Sequence, residues 1–147
     1  MTTTLDPVFL SQEELKTVVD VNLIGKITAS DDTITIIIIN ESIDFMKSYL
    51  SRYYDAEVIF SKRDTYRSLN ILKHLKNIVV YELYIRHSRA INEVAQHRYN
   101  ETMHWLEELN TGKFFDSSLP AKIIEPNTPD PQSTFRGGSN TKYTSSF

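Results

Sequence analysis

The chain has 147 residues, 40% of them hydrophobic and 24% charged, with a net charge of -3. That is the make-up of one soluble domain, able to bury about two thirds of its unfolded surface, and not of a wholly disordered or membrane-embedded chain. The absence of cysteine excludes disulfides, thiolate nucleophiles, zinc-cysteine centres and iron-sulfur clusters, and fits a reducing compartment.

The opening residues, Met1 to Asp6, are polar and lack the basic-then-apolar pattern of a secretory leader. The longest apolar block, Ile36 to Ile39, is far shorter than the about 20 residues that span a bilayer. No membrane association is expected, and the protein is expected to be made in the cytoplasm.

The first helix is expected from Ser11. Ser11-Gln12-Glu13-Glu14 fits a capping box, with Leu10 and Leu15 at the staple positions. It should run to Val19 or Asp20, followed by a connection through Asn22 and Gly25. Ser30-Asp31-Asp32-Thr33 then offers a capping serine and two acids at a second helix start. The stretch from Thr33 to Ile39 is rich in β-branched residues and would suit a buried strand. Ile36, Ile39, Ile43, Met46 and Leu50, with Ile37 and Tyr53 alongside, nevertheless recur at spacings of three and four. One helix over residues 30–53 is therefore expected, because burial overrides propensity.

A third helix is expected over residues 65–86, where Leu72, Leu75, Val79 and Leu83, flanked by Ile71, Ile78 and Ile85, form a broad apolar face about 30 Å long. The fourth is expected over residues 91–110, with Ala95, Tyr99, Met103, Leu106 and Leu109 on one face and Gly112 ending it. Trp105, Leu106, Tyr81 and Leu83 are assigned to the core. The fold class is all-α: a small four-helix bundle over residues 1–117, followed by a long extended C-terminal arm, 118–147. The arm holds Pro120, Pro126, Pro129, Pro131 and the pair Gly137-Gly138, without periodicity. Its few large residues, Phe135, Arg136, Tyr143 and Phe147, are spaced like isolated plugs, which suits an extended segment anchored on a neighbouring protein.

Signatures of catalysis are missing. The chain lacks the phosphate-cradling, serine-elbow and zincin motifs. Of the four histidines, His97 and His104 lie two helical turns apart, about 10 Å, too far to share an ion. All four read as surface or interface residues, and no cofactor or metal is expected. Neighbouring carboxylates such as Glu13-Glu14 and Glu107-Glu108 point about 100° apart on a helix and read as solvated faces. Residues 62–98 carry eight basic residues (Lys62, Arg63, Arg67, Lys73, Lys76, Arg86, Arg89, Arg98) against three acids (Asp64, Glu82, Glu93). That bias is a solvated face, or a surface for an acidic partner.

Three stretches together carry a resemblance. Phe9-Leu10-Ser11-Gln12-Glu13-Glu14-Leu15 places an aromatic residue before a capped acidic helix. Tyr49-Leu50-Ser51-Arg52-Tyr53 closes the second helix. Ile78-Val79-Val80-Tyr81-Glu82-Leu83, then Arg98-Tyr99, Trp105-Leu106 and Gly112-Lys113, mark the paired long helices. In this order and spacing the chain, from Phe9 to Leu119, resembles the head-to-tail adaptor (head completion, or connector) proteins of tailed bacteriophages, in particular the Mu-like prophage branch. It departs from their pattern after Tyr53, where Tyr54-Asp55-Ala56-Glu57-Val58 stands in place of an early proline and opens a loop over residues 55–64.

The resemblance implies a non-enzymatic virion protein of the neck. Copies would form a ring, about twelve in closed cyclic symmetry, beneath the portal protein and above the next neck or tail component. DNA would pass through the lumen without sequence-specific binding. In this reading Arg52 and Arg98 are structural, pairing with carboxylates or helix C-termini. The alternative is a small helical nucleic-acid-binding or regulatory protein using the basic third and fourth helices, whose affinity would fall steeply with salt.

Overall fold

The computed structural model describes residues 9–87 and 92–123. The chain is all-α among these residues, with five α-helices: α1 Val21–Thr28, α2 Asp32–Leu50, α3 Ala56–Ser61, α4 Leu69–His87 and α5 Glu93–Thr111. Three are long. Helix α4 packs against α5, α2 and α1, while α2 also packs against α5 and α3. Contacts of His74 with Thr102 and Trp105, and of Tyr81 with Tyr99, show that α4 and α5 run antiparallel.

The first expected helix is only a 3-10 turn, Glu13–Thr17. Its capping box forms: the Glu14 amide donates to Ser11 Oγ at 3.4 Å and the Ser11 amide donates to Glu14 Oε1 at 3.3 Å. The staple forms too, with Leu10 and Leu15 fully buried. Propagation stops because the α-helix begins later, at Asp20, whose side chain caps α1 by accepting from the Asn22 amide at 2.8 Å. The stretch read as a connection through Asn22 and Gly25 is thus helical. It ends at Ala29 and Ser30, both left-handed at φ 53° and 62°, a conformation in which glycine is the usual helix terminator.

Residues 34–39 are helical, as the three-and-four spacing requires, and Asp31 rather than Ser30 supplies the cap, accepting from the Thr33 amide at 3.0 Å. The buried stripe of α2 is Thr35, Ile39, Ser42, Met46 and Leu50. Ile37 is 53% exposed, so one isoleucine assigned to the apolar side faces solvent. The expected 55–64 loop is largely helix α3, capped by Asp55 through the Val58 amide at 3.2 Å. Thr65 and Tyr66, assigned to the third helix, belong with Asp64 to a separate 3-10 turn, and α4 starts at Leu69. Helix α5 ends where expected, at Gly112, which is left-handed at φ 79°.

Leu83 and Leu106 lie in the core, along with Ile71, Leu75, Ile78 and Val79. Trp105 and Tyr81 are corrections: both are only half-buried, because each lies flat against a ring of the opposite helix and keeps its outer face in solvent. Phe9 and Phe60 meet edge to face at 5.0 Å and fasten the N-terminal segment over α3.

Candidate functional site

Two regions gather the residues singled out from the sequence. The first lies where α2 and α5 end together. Arg52 Nη1 donates to the Asn110 carbonyl at 3.1 Å, satisfying an acceptor at the C-terminus of α5, and the guanidinium lies over the Tyr53 ring at 5.3 Å. Leu50, at the end of α2, is fully buried. A Cβ on Gly112 would stand 3.3 Å from Tyr53 Oη, so glycine serves both the left-handed backbone and the close approach of this ring.

The chain leaving α5 then turns back onto the same spot. The Asp116 amide donates to Tyr54 Oη at 2.8 Å, and Phe115 stacks on Tyr54 at 5.3 Å. The Asp55 amide donates to the Pro120 carbonyl at 2.9 Å and the Lys122 amide donates to the Tyr53 carbonyl at 3.0 Å, while Tyr54 and Ala121 form an antiparallel bridge. Leu119 is buried. Residues 120–122 of the arm are therefore extended and fixed to the end of α2. Tyr54, which no sequence pattern marked, is the centre of this anchor and is 1% exposed. The arm anchors Phe135, Arg136, Tyr143 and Phe147 lie outside the described residues.

The second region is the face shared by α2, α4 and α5. Tyr81 and Tyr99 stack at 3.8 Å, and Phe45 meets Tyr49 edge to face at 5.3 Å. Between them opens a cleft of about 210 Å³ lined by Glu41, Ser42, Phe45, Ile78, Glu82 and Tyr99. Burial, then the neighbouring Glu41 carboxylate, pushes the Glu82 carboxyl above its ordinary value. Burial, then the nearby Glu82 carboxylate, likewise raises the Tyr99 hydroxyl.

Toward the middle of the α4–α5 interface sits a buried polar group. Thr102 Oγ1 accepts from Asn77 Nδ2 at 3.1 Å and lies 2.8 Å from His74 Nδ1, while Trp105 stacks on the imidazole at 4.1 Å. The hydroxyl accepts from the amide, and its bond with Nδ1 satisfies that ring nitrogen in either tautomer. His74 thus departs from the surface reading. It is 8% exposed because its place on α4 falls on the stripe facing α5. His97 and His104 do lie at the surface, where they meet Glu101 and Glu108 at 3.2 Å.

Arg98 is exposed and borders a small hollow of about 70 Å³ with Val18, Asn77 and Asn92. Glu14, read as part of a solvated pair, is instead bound by Arg67 at 2.7 Å. Among the described residues no three His, Asp or Glu side chains gather as a metal site, and no helix is long and apolar enough to cross a membrane.

No family model matches the chain, and no curated protein or solved structure matches it either. What the fold defines is a helical body with an extended segment fixed to one end.

Proposed function

We propose that the protein is a structural head-to-tail adaptor of a tailed-phage virion, assembled as a ring between the portal protein and the next neck or tail component. The observation that carries this reading is the anchor at the end of α2, where Tyr53, Tyr54 and Asp55 hold residues 120–122 in an extended path against the end of the body. A rigid body that launches an arm from a fixed point is what a ring component needs to reach its neighbour, because fixing the origin reduces the entropy lost on docking. Arm residues Phe135, Arg136, Tyr143 and Phe147 supply aromatic and guanidinium anchors for that docking. The mixed signs of α5, where exposed Glu93, Glu101 and Glu107 accompany Arg98, weigh against a nucleic-acid-binding face.

Co-sedimentation with tailed particles tests the proposal. The full-length chain should travel with the particles and a chain ending at Ile123 should stay in the supernatant. Full-length protein that never joins particles, yet binds DNA with an affinity falling steeply with salt, would favour the nucleic-acid reading instead.

A further inference from the structure

The cleft between α2, α4 and α5 has an unmet charge. Glu41 and Glu82 line the same hollow, and among the described residues neither carboxylate has an ion pair or hydrogen bond. Its other walls, Phe45, Ile78 and Tyr99, would pack against the aliphatic stem of a long cationic side chain and stabilise its head through the ring faces. The occupant this lining fits is therefore a lysine or arginine carried by an apolar segment.

The linker before α4 has the opposite character. Tyr66 and Leu69 are 83% and 78% exposed, far more than side chains of that size need to be in a folded body. Lys62 is exposed with no carboxylate paired to it among the described residues. Arg63 is engaged locally, donating to the Phe60 and Lys62 carbonyls at 2.8 and 2.9 Å. Leu69 opens α4, and Glu82 lies between three and four turns further on, about 20 Å along the axis. The linker cannot enter the cleft of its own chain.

We propose that the cleft receives residues 62–69 of a second copy of this chain, with the Lys62 ammonium between Glu41 and Glu82 and with Tyr66 and Leu69 packed on the rim formed by Phe45 and Tyr99. The contact joins two different patches, so it is head-to-tail. Repetition closes a ring or extends a filament according to the rotation per copy. It deepens the ring reading proposed above, which needs such a contact between neighbours.

The lack of native cysteine makes a disulfide test clean. Full-length Asp44→Cys and Thr65→Cys proteins, altered at exposed positions next to Phe45 and to Tyr66 that leave Glu41, Glu82 and Lys62 in place, are mixed and oxidised, and the dimer joining the two variants is followed. It should form at least tenfold faster than in a control mixture of Thr65→Cys with Glu107→Cys, whose thiol sits on an exposed position of α5. The advantage should vanish when Glu82→Lys, which sets a like charge against Lys62, is added to the Asp44→Cys protein. Equal rates in the two mixtures, or a fast rate indifferent to Glu82→Lys, would overturn the proposal. Fast cross-linking together with micrographs of open chains or simple dimers would overturn the ring and leave the contact standing. Imaged rings with control-rate cross-linking would do the reverse.

Discussion

The Arg67 guanidinium lies 2.7 Å from the Glu14 carboxylate and also donates to the Phe9 carbonyl at 2.7 Å. One side chain at the start of α4 thereby ties down the N-terminal segment, and it does so in a place where Glu14 is only a third exposed.

Arg67→Ala should therefore destabilise the fold by about 2 kcal/mol, as loss of a partly buried, charge-assisted pair does. Burial pushes the Glu14 carboxyl up, but hydrogen bonds from Arg67 and Ser11 outweigh it and hold the group below its ordinary value of 4.5. A depressed carboxylate stabilises the fold fully above its unfolded value and ceases to do so as pH falls through the folded one. Urea melts below pH 4.5 should show this loss in the native protein and a flatter profile in Arg67→Ala.

His74 gives a second acid response at higher pH. Burial, and then the Lys73 charge, push its imidazole down to about 4 from 6.5, so the folded protein holds it neutral. Stability is intact above pH 6.5 and falls as pH drops from there toward 4, a loss on the order of 3 kcal/mol. His74→Gln should flatten that part of the profile. Trp105→Ala, which uncovers the ring, should cost about 2 kcal/mol, less than loss of a fully buried tryptophan. It should also raise the His74 midpoint toward 6.5, read from the imidazole resonances. An unchanged midpoint would show that Trp105 does not shield it.

Glu82 has the opposite sign. Its carboxyl is raised by burial and by Glu41, so the ionised form costs stability as pH rises above the unfolded value. In dilute protein whose copies are separate, Glu82→Gln should melt at a higher temperature than the native chain at pH 7 and at the same temperature near pH 4. A lower melting temperature at pH 7 under those conditions would mean that the carboxylate has a stabilising cation within its own chain.

The long helices were legible from spacing alone, and the reason is visible at Ile39, Met46 and Leu50, which recur on one buried stripe of α2. The short ones were not. Helix α1 carries a glycine in its interior, at Gly25, and ends at Ala29 and Ser30 without one, so both punctuation signals pointed the wrong way. Helix α3 is only six residues long and cannot display a helical period. Trp105 and Tyr81 are expected in the core, but cross-helix stacking leaves one face of each in solvent. Arg52 is expected to pair with a carboxylate or a helix C-terminus, and it donates to the Asn110 carbonyl at the end of α5. Tyr54 and the pairing of Glu41 with Glu82 depend on which helices become neighbours, and a single strip of sequence does not carry that.

At the arm anchor, Gly112→Ala should cost about 1 kcal/mol or more, since alanine must adopt φ 79° and meets Tyr53 Oη at 3.3 Å. Calorimetry on Gly112→Ala and on the pair Gly112→Ala with Tyr53→Leu separates the two causes. The close approach is unimportant if Tyr53→Leu restores nothing.

Shortening the chain should reveal where the body ends. A chain ending at Asp116 loses buried Leu119 and the pairing of residues 120–122 with 53–55 and should melt several degrees lower. A chain ending at Ile123 keeps both and should melt with the full-length protein.

The central claim, that this helical body is a ring component of a phage neck, is tested most directly by electron cryomicroscopy of tailed particles carrying the full-length chain. The expected result is a ring of about twelve copies around the DNA channel at the head-to-tail junction, in closed cyclic symmetry, with density for each arm leaving the body beside Tyr54. Particles whose neck density holds no copy of this fold would contradict it.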